Sequence, residues 1–167
     1  KRGVKAVMLA GPSSSGKTTS PNRIAPQLRA EGMDPVMLSL DDYYIDRDKL
    51  APGPDGQLDL EHINALDTEK FAADLKILLS GGEAGIPRFN FLTQRREAEL
   101  VPLRLGKDQP LIVEGIHGLN PMMLGDIDPE NVFRIYVSAL TTLNLDDHNR
   151  IRTTDARLLR RIVRDNL

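Results

Sequence analysis

The sequence predicts an α/β fold in three layers: a parallel β-sheet covered by helices on both faces, with a small antiparallel hairpin beside it. Three observations carry this prediction. Short apolar runs at Val4–Ala10, Leu111–Glu114 and Val132–Ser138 have the length and continuity of buried parallel strands. They alternate with segments of helical apolar spacing, and strand–helix alternation implies a parallel sheet. The first run opens directly into G-P-S-S-S-G-K-T at Gly11–Thr18, two glycines bracketing four residues and followed by Lys and Thr. That is the pattern of a phosphate-binding loop, in the strand–loop–helix setting it requires.

Val4–Ala10 is the first strand, and Thr18 to about Ala30 is a helix with Ile24 and Leu28 on one face. Pro21 falls just past its first turn, where it deletes a backbone donor and predicts a local distortion. Gly32 ends the helix. Pro35–Leu40 is the second strand, with Asp41-Asp42-Tyr43-Tyr44 at its carboxyl end, and Ala51–Gln57 is a Pro/Gly-rich loop. Asp67 caps a helix whose stripe is Phe71, Leu75, Leu78 and Leu79, stopped by Gly81-Gly82. Ile86–Phe91 and Leu100–Leu105 read as two strands of one hairpin across the polar Thr93–Glu99. Leu111–Glu114 and Val132–Ser138 are the third and fourth main strands. Thr141–Thr154 is polar and irregular, and Asp155–Asn166 is a helix.

The 167 residues fit one domain, read as 1–167. Apolar and charged fractions of 40% and 28% are those of a globular chain, and a net charge of −2 gives no basic footprint for nucleic acid. With no cysteine there is neither a disulfide framework nor a Cys-based zinc site. The apolar stretch at the start is too short for a signal peptide and no run is long enough to span a membrane, so a cytoplasmic location and no membrane partner are expected. The chain starts at Lys1 and stops at Leu167 inside a helical pattern. A domain cut from a longer chain is therefore expected.

Ligands of parallel sheets bind outside the carboxyl ends of the strands. Three features meet there: the phosphate loop, Asp41/Asp42 and Glu114. Gly11 and Gly16 free the loop backbone, so that N–H groups from Ser13, Ser14, Ser15, Gly16, Lys17 and Thr18 converge on phosphate oxygens at a helix N-terminus. Lys17 reaches the β- and γ-phosphates, and the Thr18 hydroxyl would sit on Mg²⁺. Asp41 or Asp42 is the candidate base for an alcohol acceptor, with a turn or helix cap as the alternative. Glu114 is the candidate for the Mg²⁺ side, with a solvated strand end as the alternative. Arg157, Arg160, Arg161 and Arg164 lie largely on one face of the last helix, either as phosphate clamps or as a solvated face. Ala156, Leu159, Ile162 and Val163 mark its other face. His117 is placed to line the crevice and His62, after Glu61, to reach a substrate. His148 after Asp146-Asp147 reads as a polar loop rather than a metal site.

These motifs, taken in order, resemble the uridine kinase/phosphoribulokinase family of P-loop kinases, and uridine kinases most closely. The matching pieces are Gly11–Thr19, Ser39–Tyr44 (S-L-D-D-Y-Y), Leu60–His62 (L-E-H), Pro87–Phe91 (P-R-F-N-F), Glu114–Ile116 (E-G-I) and Arg157–Asp165. The resemblance implies a P-loop nucleotide-kinase-like fold with a further C-terminal strand that this chain lacks. It implies ATP and Mg²⁺ as cofactors, Thr19 among the phosphate-site residues, a nucleoside as partner and the option of a homo-oligomer. It makes Asp41 the general base toward a nucleoside 5′-hydroxyl and Tyr44 a substrate-site aromatic. Glu61 stands where an Asp usually binds the ribose, Phe89 where a Tyr packs on the base, and Gln94 near a base-contacting His. Arg157 falls near a ribose-contacting arginine; Arg160, Arg161 and Arg164 open a lid over the phosphates. Phe89 and Gln94 depart from the family pattern, so a kinase for another small alcohol, such as a sugar phosphate or pantothenate, stays open. So does a regulatory ATP-binding module. The stretch Leu143–Arg152 reads as an insertion, similar to a bacterial subgroup in which the kinase domain follows tRNA-synthetase-like segments.

Overall fold

The computed structural model describes residues 3–53, 56–139 and 146–166. A four-stranded parallel sheet forms its centre, in the order β2-β7-β1-β8. The strands are β1 (Ala6–Ala10), β2 (Val36–Ser39), β7 (Leu111–Glu114) and β8 (Val132–Tyr136). The register aligns Leu9 of β1 and Ser39 of β2 with Glu114 of β7. The three segments that follow these strands therefore leave the sheet side by side, which is how distant motifs meet at one edge.

Side chains alternate across a strand. Ala6, Met8, Leu38, Leu111 and Val113 share one buried cluster with Phe71, Leu75 and Leu78 of α2 (Thr68–Leu79). Leu9 and Ile112, on the alternate positions, are buried as well, as a strand covered on both faces requires. The α2 cap is as expected: the Asp67 carboxylate accepts the Lys70 N–H at 3.0 Å.

In α1 (Thr19–Ala30) the effect of Pro21 is one missing rung. Thr18 already has helical angles, φ −72° and ψ −31°, and the Ser20 N–H bonds the Gly16 carbonyl at 2.9 Å. Pro21 has no N–H to give the Lys17 carbonyl, so the regular ladder counts from Thr19. A second proline, Pro26, sits inside the same helix; the apolar spacing alone did not single it out.

The hairpin reading needs correction. Ile86–Phe91 and Leu100–Leu105 do not form one ladder. Instead β3 (Glu83–Ile86) pairs with β6 (Val101–Arg104), and β4 (Phe89–Asn90) pairs with β5 (Arg95–Arg96). Buried Pro87 interrupts the first strand by removing a ladder donor. The Asn90 side chain then accepts the N–H groups of Leu92 and Thr93 at 3.0 and 3.1 Å and turns the chain early.

The last helix, α3, spans Thr153–Asp165. Only Ala156 of its apolar face is buried; Leu159, Ile162 and Val163 stay 50–59% exposed. Residues 140–145, which include Leu143 to Leu145 of the expected insertion, lie outside the described residues. Among the described residues no helix is long and apolar enough to cross a membrane.

Candidate active site

The phosphate end is built by backbone. A Cβ at Gly11 would lie 2.3 Å from the Val137 carbonyl oxygen and 2.7 Å from Ser15 Oγ, so only glycine fits. Gly16 has φ +105°, in the region glycine favours. Ser14 is held at φ 60°, a conformation rare for a serine. Ser14 Oγ and Ser15 Oγ are buried with no hydrogen-bond partner among the described residues. Buried hydroxyls left unpaired are costly, and an incoming phosphate supplies the acceptors they lack. Lys17 Nζ rests 3.4 Å from the Pro12 carbonyl, with no carboxylate partner among the described residues. Orphaned hydroxyls, a cradle a Cβ would fill and an available cation together fit a polyphosphate.

The helix α3 docks on this loop. Arg157 Nε donates to the Ser13 carbonyl at 2.8 Å and Arg160 Nε to the Ser14 carbonyl at 3.0 Å. Arg157 and Arg161 line a cavity of about 280 Å³ with Ser13, Ser14, Thr154 and Leu158. Arg164 turns instead to Asp165 at 2.9 Å, and Arg161 Nε pairs with the same carboxylate at 3.5 Å. The four arginines therefore divide, although their sequence spacing treats them alike.

Beside the loop stands the carboxylate pair. Asp41 opens the turn after β2, where its N–H bonds Ser39 Oγ at 3.3 Å. The Ser39 hydroxyl in turn donates to Glu114 Oε1 at 2.9 Å. Burial holds the Asp41 carboxyl above its ordinary range; the Glu114 and Asp42 charges add to this and Lys17 opposes it. Asp42 has a different task, an ion pair to Arg88 at 2.7 Å. The two aspartates are thus separated by environment: one is paired, the other is placed between an acid and a lysine. Among the described residues no group of three or more His, Asp or Glu could chelate a metal alone. Mg²⁺ usually binds through one or two protein oxygens plus substrate phosphates, which Thr18, exposed at the loop end, and Glu114 can satisfy.

The acceptor end is built by side chains. Tyr44, Glu61, Phe89 and Gln94, to which the family resemblance assigns substrate roles, line one cavity of about 170 Å³. Ile45, Arg47, Leu60 and Phe91 complete it. Ring centroids lie 5.6 Å apart for Tyr44–Phe89, 6.2 Å for Tyr44–Phe91 and 5.1 Å for Phe89–Phe91. Burial, with the Asp41 and Glu61 charges, pushes the Tyr44 phenol up to about 12. Arg47 Nη1 donates to Gln94 Oε1, and Gln94 itself sits at φ 56°. His117 Nε2 bonds the Glu61 carbonyl at 2.8 Å and so braces the cavity wall. His62 is exposed and its Nδ1 accepts the Asn64 N–H at 3.1 Å; it caps a turn and does not line the cavity. His148 is in a loop where its N–H bonds Asp146. Sequence reasoning gave no role to Ser39, Leu60 or Phe91, although each lies inside a family-matching piece, and did not single out Arg47 at all. Phe91 lies in the turn that follows β4, its ring 5.1 Å from that of Phe89. A larger cavity, about 370 Å³, lies at the other end of the sheet near Lys5, Leu79 and Pro110, with neither loop nor acid pair beside it.

No family model matches the chain. Among solved structures it superposes on a protein of Bacillus stearothermophilus named as a possible uridine kinase. There the TM-score is 0.64 at 22% identity, covering 81% of this chain and 71% of the other. It superposes equally on a kinase of Silicibacter sp. TM1040, provisionally named for a fructose transport system, with TM-score 0.65 at 20% identity, covering 100% and 76%. These two likenesses show a shared fold, to which the loop adds a phosphate-binding motif. The chain is, further, a homologue of the uridine kinases. It is 31% identical to that of Clostridium novyi and 30% to that of Ligilactobacillus salivarius, each over 94% of its own length. It spans 66% and 64% of those two relatives, about two thirds.

Proposed function

We propose that this chain is the catalytic domain of an ATP- and Mg²⁺-dependent nucleoside kinase. It would transfer the γ-phosphoryl group to the 5′-hydroxyl of uridine, cytidine or a close relative. The observation that carries the reading is a junction. The Asp41 N–H bonds Ser39 Oγ, whose hydroxyl donates to Glu114, and Tyr44, three residues further along the same turn, lines the aromatic cavity. That cavity, about 170 Å³, falls below the ~300–1,000 Å³ of drug-sized pockets, so it suits one flat ring.

In this reading Gly11–Thr19 cradle the polyphosphate, and Thr18 and Glu114 hold Mg²⁺. When bound, the ion neutralises charge on the β- and γ-oxygens. Asp41 accepts the proton of the acceptor hydroxyl, and burial, which raises its pKa, makes it a stronger base than a solvated aspartate. Lys17, Arg160 and Arg161 face the transferring group and offset its charge. Phe89, Phe91 and Tyr44 stack on the base, Glu61 accepts from sugar hydroxyls, and Gln94 meets the base edge.

One observation favours a second reading. Phe89 and Gln94 lack the phenol and imidazole of the uridine kinase pattern, and one structural neighbour bears a sugar kinase name. A kinase of the same fold for another small alcohol would share everything on the phosphate side. Mass spectrometry of products from ATP–Mg²⁺ with nucleosides, sugar phosphates and pantothenate separates the two. The reading predicts uridine or cytidine 5′-monophosphate, lost in Asp41→Asn. A product from a sugar phosphate or pantothenate alone would move the assignment to the second reading. ATP binding without any phosphorylated alcohol would overturn both.

A further inference from the structure

Arg96 has no role in the reaction described above, yet it makes four polar contacts, three of them through its guanidinium. Its Nε donates to the Tyr44 carbonyl at 2.8 Å and its Nη2 to the Tyr43 carbonyl at 2.9 Å. Its Nη1 pairs with Asp67 at 2.9 Å, and its backbone N–H bonds Asp46 Oδ1 at 2.7 Å. The two carbonyls belong to the turn that Asp41 opens. Asp67 is the cap of α2, and its own N–H bonds the same Tyr43 carbonyl at 2.9 Å. One guanidinium thus fixes the Asp41 turn against the core helix.

The same residue belongs to the acceptor cavity by its backbone. In the β4–β5 hairpin Arg96 is the direct register partner of Phe89. Phe89 packs on Tyr44, whose carbonyl Arg96 holds. A closed path of neighbours therefore runs from the ring that lines the cavity, across one strand pair, to the turn that carries the base.

We propose that Arg96 is a positioning residue that couples filling of the aromatic cavity to the placement of Asp41. Contact of the acceptor's ring with Phe89 settles the β4–β5 hairpin, and Arg96 carries that settling to the Tyr43 and Tyr44 carbonyls. Binding of the non-reacting part of the acceptor is then used to orient the reacting part, so that it appears in kcat as well as in KM. The proposal rests on the nucleoside kinase reading and deepens it.

The test compares uridine with ribose, which has the hydroxyl to be phosphorylated but no ring for the cavity, at saturating ATP–Mg²⁺. In the wild-type protein kcat for uridine should exceed that for ribose. Arg96→Lys keeps a cation for Asp67 but cannot fork to two carbonyls. It should shrink the uridine-to-ribose kcat ratio by about tenfold or more, through loss on uridine, with KM for ATP unchanged. Phe89→Leu, which leaves Arg96 in place, should shrink the same ratio, and the double variant should be little worse than either single. Equal loss on uridine and ribose in Arg96→Lys would show a merely structural arginine and overturn the proposal. So would an unchanged ratio in Phe89→Leu, which remains decisive even if Arg96→Lys does not fold. Failure of the wild-type protein to phosphorylate uridine at all would overturn the nucleoside reading itself, and the coupling with it.

Discussion

The two ends of the candidate site are made of different material. The phosphate end is a single unbroken segment, Gly11–Thr19, whose shape comes from backbone angles at Ser14 and Gly16 and a forbidden Cβ at Gly11. The acceptor end is assembled from three separate stretches around Tyr44, Glu61 and Phe89–Gln94, held together by side chains. In the proposed reading the first meets a polyphosphate, which offers the same charge and geometry whatever the acceptor. The second must meet whichever alcohol is used. Asp41 stands where the two adjoin, and faults on either side of it should therefore have different kinetic signatures.

The sharpest test of that division is Asp41→Asn. General bases contribute about 10²–10⁴ in rate, so turnover should fall by that factor while KM for ATP and for acceptor stays near wild type. A large rise in either KM would mean that Asp41 belongs to one end only. Next in size is Gly11→Ala. The added methyl would overlap the Val137 carbonyl, and overpacking of this kind costs about 1–3 kcal/mol or more. Nucleotide affinity and the urea midpoint should both fall, with the ranking of acceptors unchanged. Phe91→Ala probes the other end: losing two ring contacts should raise the acceptor KM several-fold, with KM for ATP unchanged.

Two smaller effects concern what holds the turn. Tyr43 is buried and donates to Asp74 Oδ2 at 3.0 Å, while Lys70 pairs with the same carboxylate and reaches the Gly85 carbonyl at 2.8 Å. Burial and the Asp74 charge push the Tyr43 phenol well above its usual range. Tyr43→Phe should cost about 1–2 kcal/mol in chemical denaturation, because Asp74 loses one donor but keeps Lys70. The last effect is a pH dependence. The folded-state pKa of Asp41 is raised above 3.8, so the folded chain binds more protons than the unfolded one just above that value. Its contribution to stability is therefore present below pH 3.8 and is lost as pH rises through the folded value. Asp41→Asn should melt above the wild type at neutral pH, and the gap should close toward pH 3.8.

The same contrast explains what the sequence could tell. A loop made by consecutive residues leaves a consecutive pattern, and Gly11–Thr18 could be read with the strand before it and the helix after it. Strands β1 and β7 were legible because both their faces are buried; β8, at the sheet edge, keeps Phe133 and Tyr136 exposed and was legible from its apolar and aromatic run alone. The acceptor cavity was legible only where the family resemblance supplied it, at Tyr44, Glu61, Phe89 and Gln94. Arg47 carries no local signal, because a charged side chain in a loop looks the same whether it lines a cavity or meets water; Leu60 lies inside the Leu60–His62 piece but nothing there shows that it lines the cavity. Arg96 sits in the run Arg95-Arg96-Glu97, where nothing distinguishes the clamp from its neighbour, which pairs with Asp48 at 3.0 Å. The hairpin was misassigned for a related reason. Pro87 and Asn90 mark a break, but the partners of the two halves are set by tertiary packing. The arginines of α3 share one face by spacing, yet only contact with the loop carbonyls divides Arg157 and Arg160 from Arg164.

The central claim is that phosphoryl transfer to an alcohol occurs where these two ends meet. The most direct measurement follows label from ATP radiolabelled in its γ-phosphate, with uridine as acceptor, in the wild-type and Asp41→Asn proteins. The account predicts label in uridine 5′-monophosphate with the wild type and almost none with the variant. Label released only as inorganic phosphate, at the same rate in both proteins, would contradict it.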